Sequence, residues 1–284
     1  MKLVYGGAIM SNKQPIFVTF SILKGGVGKT NIAYNFMNWL AIEKKEKVLA
    51  IDLDENCHLS HICDVYETSD THQTVANVLL GHDDEMTFHN VRDNVDLIAG
   101  FKNLNILQEK IATREQKTMM LYMWLEDNYE RYDLDQYDYI VIDTHNDFGT
   151  ATKNAIAVSH VVFSPVEPTI LGDFIPFQEE LEEFKNQVID YRTRESYITA
   201  EHKMIGNLYD NRTKNDKAFL AFMETHEDFI AQFPRLDIFK KSIQKKTPIS
   251  ELFQSNLISH SQKQYKNEFD ENMNNIYKET QKYV

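Results

Sequence analysis

The stretch Lys24-Gly25-Gly26-Val27-Gly28-Lys29-Thr30 decides how this chain is read. Before it runs Ile16-Phe17-Val18-Thr19-Phe20-Ser21-Ile22, apolar and rich in β-branched residues. After it, Ile32, Ala33, Phe36, Trp39 and Leu40 recur at helical spacing. A strand, a glycine loop and a helix form the context in which such a loop holds phosphate. Gly25, Gly26 and Gly28 lack a Cβ, so backbone N–H groups can close around phosphate oxygens. The helix N-terminus adds partial positive charge. Lys29 is expected to reach the β- and γ-phosphates of a nucleotide, and the Thr30 hydroxyl to ligate Mg²⁺.

Two further segments supply carboxylates. Val48-Leu49-Ala50-Ile51-Asp52-Leu53-Asp54 reads as an apolar strand delivering Asp52 and Asp54 at its C-terminal end, where open α/β sheets bind ligands. Their spacing of two puts both on one face if the strand continues that far. Tyr139-Ile140-Val141-Ile142-Asp143 has the Walker B form, and Asp143 is expected to hold Mg²⁺ opposite Thr30.

The loop departs from G-x-x-x-x-G-K-[ST]: Leu23 stands where the first glycine belongs, and Lys24 follows it. Lys24-Gly25-Gly26-Val27-Gly28-Lys29-Thr30 resembles the deviant Walker A loop of the ParA/MinD family. Weaker elements extend the likeness from about Ile16 to Ile249: Val95–Gly100, Ser164-Pro165-Val166-Glu167-Pro168, and Asn207-Leu208-Tyr209-Asp210-Asn211-Arg212. Within the family the sequence looks close to the delta partition ATPases of Gram-positive plasmids. The resemblance implies a nucleotide-sandwich homodimer in which Lys24 reaches the partner's phosphates. It also implies that Asp52 belongs to the outer shell of Mg²⁺ and that Asp54 orients the attacking water. The nucleotide contacts it implies are Lys24, Gly25, Gly26, Val27, Gly28, Lys29, Thr30 and Asn31, with Asp210 near the adenine edge. Two departures stand out: Glu55-Asn56 replaces Pro-Gln after the aspartates, and Thr144-His145-Asn146-Asp147 replaces the D-x-P-P continuation.

The formal net charge is −13, which repels nucleic acid in bulk. Arg235, Lys240, Lys241, Lys245 and Lys246 break that trend, with Asp237 as the one acid among them. By resemblance, this segment is the candidate surface for nonspecific double-stranded DNA. The expected activity is a Mg²⁺-dependent ATPase for plasmid or chromosome segregation, stimulated by a basic, ParB-like centromere-binding protein. No apolar run approaches the roughly 20 residues of a membrane span, and two cysteines suggest reduced thiols, so a cytoplasmic protein without a membrane partner is expected; the resemblance implies that it is nucleoid-associated. A MinD-like positioning ATPase would end in a basic amphipathic helix, whereas this chain ends polar and partly acidic. A bacterial tyrosine kinase would carry a terminal tyrosine cluster, and Tyr265, Tyr277 and Tyr283 are sparse. An iron–sulfur reductase needs cluster cysteines, and Cys57 and Cys63 are the two in the chain. Their segment, Cys57-His58-Leu59-Ser60-His61-Ile62-Cys63, matches no zinc spacing.

Alternating segments argue for an α/β fold: a doubly wound, mainly parallel sheet with helices on both faces. Strands are expected at Ile16–Ile22, Val48–Leu53, Val95–Ala99, Tyr139–Asp143, Val161–Ser164 and Met204–Tyr209, with a short one near Leu236–Phe239. Helices are expected at Lys29–Lys44, Thr74–Leu80, Asn103–Asn128, Asp173–Tyr191, Asp216–Glu224 and about Ser255–Lys282. Residues 1–15 are expected to form a flexible extension. Residues 16–284 are expected to form one ATPase domain ending in a helix.

Overall fold

The computed structural model describes residues 14–168, 174–210 and 212–284. The expected extension, residues 1–15, therefore lies outside the described residues except for Gln14 and Pro15, as does Asp173. The elements run β1 (Ile16–Phe20), α1 (Lys29–Trp39, continued by a π-turn over Leu40–Lys44), β2 (Val48–Leu53), α2 (His58–Ile62), α3 (Val75–Leu80), β3 (His89–Arg92), β4 (Val95–Ile98), α4 (Leu104–Ile111) and α5 (Met120–Asn128). They continue as β5 (Tyr139–Thr144), α6 (Thr150–Val158), β6 (Val161–Val166), α7 (Ile175–Gln187), β7 (Glu201–Tyr209), α8 (Lys214–Glu224) and β8 (Phe229–Pro234). The last helices are α9 (Asp237–Lys245), α10 (Ile249–Leu252), α11 (His260–Gln264) and α12 (Lys266–Thr280).

The eight strands form one sheet in the order β3-β4-β2-β5-β1-β6-β7-β8. All neighbours are parallel except β3 with β4. The central strands β1, β2 and β5 are buried along their whole length, as expected of parallel strands covered on both faces. Successive side chains alternate between the faces. Val18, Phe20, Val48, Ala50 and Val141 pack toward α1 and the C-terminal helices. Phe17, Leu49, Ile51, Ile140 and Ile142 pack toward α3 to α6.

The doubly wound, mainly parallel fold agrees with the expectation, but several elements differ. The expected strand near Leu236–Phe239 is instead the start of α9, and the strand beyond β7 is β8. The alternating burial of Ala231 and Phe233 on β8 carries its signal. The expected helix Asn103–Asn128 is two helices, because Asn154 of α6 intervenes. Its amide donates to the Lys117 carbonyl at 2.6 Å, and its carbonyl accepts from Leu121 N–H at 2.9 Å. That buried side chain supplies the α5 N-terminus with a partner that an uninterrupted helix would supply internally. The expected helix Ser255–Lys282 is broken too, where a Ser259/Gln262 capping box starts α11. α12 then docks on β8 through Phe269, Met273 and Ile276, all fully buried, each contributing about 1.5–3 kcal/mol.

Candidate functional site

The glycine loop leaves β1 and enters α1 through two residues in the left-handed region, Gly26 (φ 79°) and Gly28 (φ 91°). A side chain at either would be strained. At Gly28 it would also collide, because a Cβ there would lie 2.5 Å from Asn207 Nδ2. That amide donates to the Val27 carbonyl at 2.7 Å. Asn207, at the end of β7, thus braces the loop from the next crossover. No local pattern in the sequence singles out this role, although Asn207 heads the Asn207–Arg212 segment. Gly25 lies under Asn146, whose Nδ2 would be 3.1 Å from a Cβ.

Lys29 is buried, and its ammonium donates to the Lys24 carbonyl at 3.4 Å. Burial lowers its pKa, while Asp143, Asp54 and Asp147 oppose that shift. The Lys24 ammonium pairs with Glu167 at 3.0 Å, just after β6 in the same subunit. Asn31 turns its side chain away from the loop and donates to the Phe239 carbonyl of α9 at 2.9 Å. One turn on, Asn35 donates to Asn31 and accepts from Ser242 Oγ at 3.2 Å and Ile249 N–H at 2.9 Å.

Asp52 and Asp143 are register neighbours at the C-terminal ends of β2 and β5. Both are fully buried, but they differ in what satisfies them. Asp52 Oδ2 accepts from Ser60 N–H (2.9 Å) and Ser60 Oγ (2.7 Å), and Oδ1 from Asp54 N–H (3.1 Å). Burial pushes its pKa up to about 6, against the Ser60 hydrogen bonds. Gly100 makes room for it: a Cβ there would lie 2.9 Å from the Asp52 carboxyl carbon. Neither oxygen of Asp143 completes a hydrogen bond of normal geometry among the described residues. Burial, then the Asp52 charge, pushes its pKa well above the carboxylate range, while the facing Thr30 hydroxyl and Lys29 act in the opposite sense. A buried carboxyl so placed keeps its charge only beside a cation and otherwise holds a proton. With Thr30 and Lys29 beside it, Asp143 fits a hard divalent ion such as Mg²⁺.

Asp54 is held differently. Asn56 N–H (2.8 Å), Asn56 Nδ2 (2.9 Å) and His145 Nδ1 (2.9 Å) converge on its Oδ1. An ionised carboxylate only accepts, so Nδ1 carries the His145 proton. The two substituted loop segments, Glu55-Asn56 and Thr144–Asp147, therefore meet at this carboxylate. Asp147 is committed elsewhere: it accepts from Gly149 N–H at 2.8 Å and Thr152 Oγ1 at 3.2 Å at the start of α6.

Other expected residues lie apart from this cluster. Asp210 receives Arg212 N–H at 2.9 Å and both Nε and Nη2 of its guanidinium (3.1 and 2.9 Å). These contacts, the backbone N–H first, hold its carboxyl below the usual range. Of the basic segment, Arg235, Lys240 and Lys245 are exposed. Lys241 donates to the Leu257 carbonyl at 2.9 Å, and Lys246 pairs with Asp64 and Tyr66. Cys57 and Cys63 are free thiols. Burial pushes both up to about 12, so neither offers a thiolate to a metal.

Comparison with known proteins agrees with this fold. Residues 16–191 match the family described as "AAA domain". A Borrelia burgdorferi B31 protein described as a plasmid partition protein, solved with AMPPNP, superposes with a TM-score of 0.71 at 22% identity, over 90% of this chain and 98% of its own. Apo McdA from Cyanothece gives 0.70 at 19% identity, over 86% and 95%. These likenesses show the fold. The Chlamydia psittaci virulence plasmid ParA family protein pGP5-D is 27% identical over 164 residues, 55% of this chain and 59% of its own length. The glycine loop with its two lysines, the paired strand-end aspartates and the family match together place this chain in the ParA/MinD-like AAA-domain family of P-loop ATPases.

Proposed function

We propose that this chain is a ParA-type partition ATPase that binds ATP with Mg²⁺, dimerises on doing so, and then holds DNA without regard to sequence. The observation that carries the reading is the buried Asp143 carboxylate, which completes no hydrogen bond of normal geometry among the described residues, beside Lys29 and Thr30 at the mouth of the glycine loop. When bound, the metal ion neutralises phosphate charge. Lys29 and the loop N–H groups grip the β- and γ-phosphates. Asp143 and Thr30 face the metal, and Asp52, already satisfied by Ser60, orders the surrounding loop. Asp54 positions the attacking water. Its three donors all use Oδ1, so the carboxylate plane is fixed and Oδ2 is the oxygen to face that water. Lys24 exchanges Glu167 for phosphate oxygens in the second subunit. Arg235, Lys240 and Lys245 contact DNA phosphates, and Asp210 borders the base. A basic, ParB-like centromere-binding partner stimulates hydrolysis and releases the dimer from the nucleoid. Residues 16–284 act as one ATPase domain. The Borrelia structure with AMPPNP and a Cyanothece McdA structure with ATP support nucleotide as the ligand of this fold.

Equilibrium MgATP binding and light-scattering mass test this reading together. Lys29→Ala is expected to lose MgATP binding. Lys24→Ala is expected to keep it but to remain monomeric with ATP. Identical behaviour of the two variants overturns the assignment of Lys24 to the partner's phosphates.

A further inference from the structure

α3 is only two turns long, and its two ends are drawn together on the protein surface. Gly81, with φ 67°, reverses the chain after the helix. Asn77, fully buried within α3, donates to the carbonyls of both His72 (2.8 Å) and Asp84 (3.3 Å). Gln73 Nε2 adds a bond to the Glu85 carbonyl at 3.1 Å, and Thr87 bonds Gln73 in turn. The loop before the helix is thereby stitched to the loop after it. Three side chains meet on that seam. His72 Nδ1 lies 2.6 Å from Asp84 Oδ2, and His82 Nδ1 lies 3.7 Å from the same oxygen. The two imidazoles stack with centroids 5.2 Å apart.

His82 Nδ1 is buried and has no hydrogen-bond partner among the described residues. A ring nitrogen in that position has lost water and gained nothing in exchange. The ligand atoms of His72, His82 and Asp84 lie within 4.8 Å of one another. A tetrahedral ion with bonds of about 2.0–2.1 Å needs them about 3.3 Å apart, so the widest gap closes by at most about 1.5 Å while the His72–Asp84 pair, now 2.6 Å apart, opens by about 0.7 Å. His72 and Asp84 are exposed and His82 is partly so, which leaves their rotamers room for both shifts. Residues 70–85 also hold Asp70, Asp83 and Glu85 with no lysine or arginine; Arg131 offsets Asp83 at 2.7 Å, and Asp70 and Glu85 remain to favour a cation. Two imidazoles and a carboxylate suit late first-row divalent ions and not Mg²⁺ or Ca²⁺, which prefer oxygen.

We propose that His72, His82 and Asp84 form a binding site for Zn²⁺ or a closely related divalent transition metal, one that clasps the two ends of α3 and leaves one position open to solvent. The ion takes the place of the proton shared between His72 and Asp84 and supplies His82 Nδ1 with the partner it lacks. Neither the glycine loop nor Asp52, Asp54 or Asp143 contributes a ligand, so the site stands apart from nucleotide chemistry.

The full chain, stripped of metal by chelation and free of nucleotide, is titrated with Co²⁺ and followed by its visible ligand-field absorption, then challenged with Zn²⁺. One equivalent of Co²⁺ is expected to saturate with the intense bands of a four-coordinate site and to be displaced by Zn²⁺ but not by excess Mg²⁺. His72→Ala and His82→Ala are each expected to weaken binding about 100-fold or more, since each removes a ligand. Asp84→Asn, a conservative change at an exposed side chain, guards against loss of folding. It is expected to weaken binding while leaving the metal-free melting temperature unchanged and cancelling the rise that Zn²⁺ gives the parent protein. Isotherms that superimpose for parent and all three variants overturn the proposal. So does octahedral, weakly absorbing Co²⁺ that fails to saturate below millimolar concentration.

Discussion

At the scale of single residues, three donors hold the Asp54 carboxylate, and one of them, His145, comes from across the site. If Asp54 positions water, the donor at the His145 Nδ1 position matters and the imidazole itself does not. His145→Ala is expected to lower kcat by about 10–100-fold with KM little changed, the usual scale for losing a support behind an active group. His145→Asn can place an amide N–H where Nδ1 now sits, and it is expected to recover most of that loss. His145→Gln, which reaches past that point, is not. Steady-state turnover of the three variants decides this, and wild-type kcat in His145→Ala would move the support to Asn56 alone. The residue types of this site were legible in the chain: lysines, threonine and aspartates stand at spacings that phosphate and metal chemistry requires. Their supporting partners were not. Asn207, Ser60 and Gly100 act through contacts that close only when β7, α2 and the end of β4 converge, and nothing local in sequence marks such a convergence.

At the scale of elements, α9 carries the candidate DNA surface. Two of its neighbouring cations are already occupied, Lys241 by a carbonyl and Lys246 by Asp64, which leaves Lys240, Lys245 and Arg235 as the exposed set. Glutamate at Lys240 and Lys245 is therefore expected to remove most ATP-dependent DNA retention. Each phosphate that such a variant no longer neutralises should flatten the slope of log K against log salt by about 0.9, and binding should ignore base sequence. Mobility shifts across a salt series measure this, with MgATP affinity recorded alongside. An unaltered slope would relocate the surface to Lys263 and Lys278. Strands were the most legible elements, because a buried parallel strand is an uninterrupted apolar run. Two of the failures share one cause. Asn154 splits a continuous helical pattern by bonding to it from α6, and β3 is a four-residue edge strand held by β4 alone. Tertiary partners override local preference in both cases.

At the scale of the whole molecule, two half-buried histidines tie folding to pH. His202 packs its ring 5.2 Å from Phe177, and its Nε2 lies 2.8 Å from Ser164 Oγ, which itself donates to the Ser21 carbonyl. Burial drops its pKa to about 4, and burial does the same to His160, whose Nδ1 accepts from Phe17 N–H. A histidine depressed in the folded state binds its proton first in the unfolded one. Its stabilising contribution is full above the unfolded pKa of about 6.5 and is lost as pH falls toward 4. Asp52, raised to about 6 by burial, acts with the opposite sign over the same interval, so the test is a difference. Denaturant melts of His202→Gln and the parent should converge by on the order of 2 kcal/mol between pH 7 and pH 4, and parallel curves would remove His202 from the account. One further property follows from the asparagines of α1. Asn31 and Asn35 bond the nucleotide-loop helix to Phe239, Ser242 and Ile249, so α1 cannot open without releasing α9 and α10. In hydrogen–deuterium exchange these three segments should behave as one cooperative unit with a shared opening free energy, and nucleotide should slow all three together. Asn35→Ala should divide that unit, so that amides at the front of the protein exchange on one clock and those of the basic helix on another.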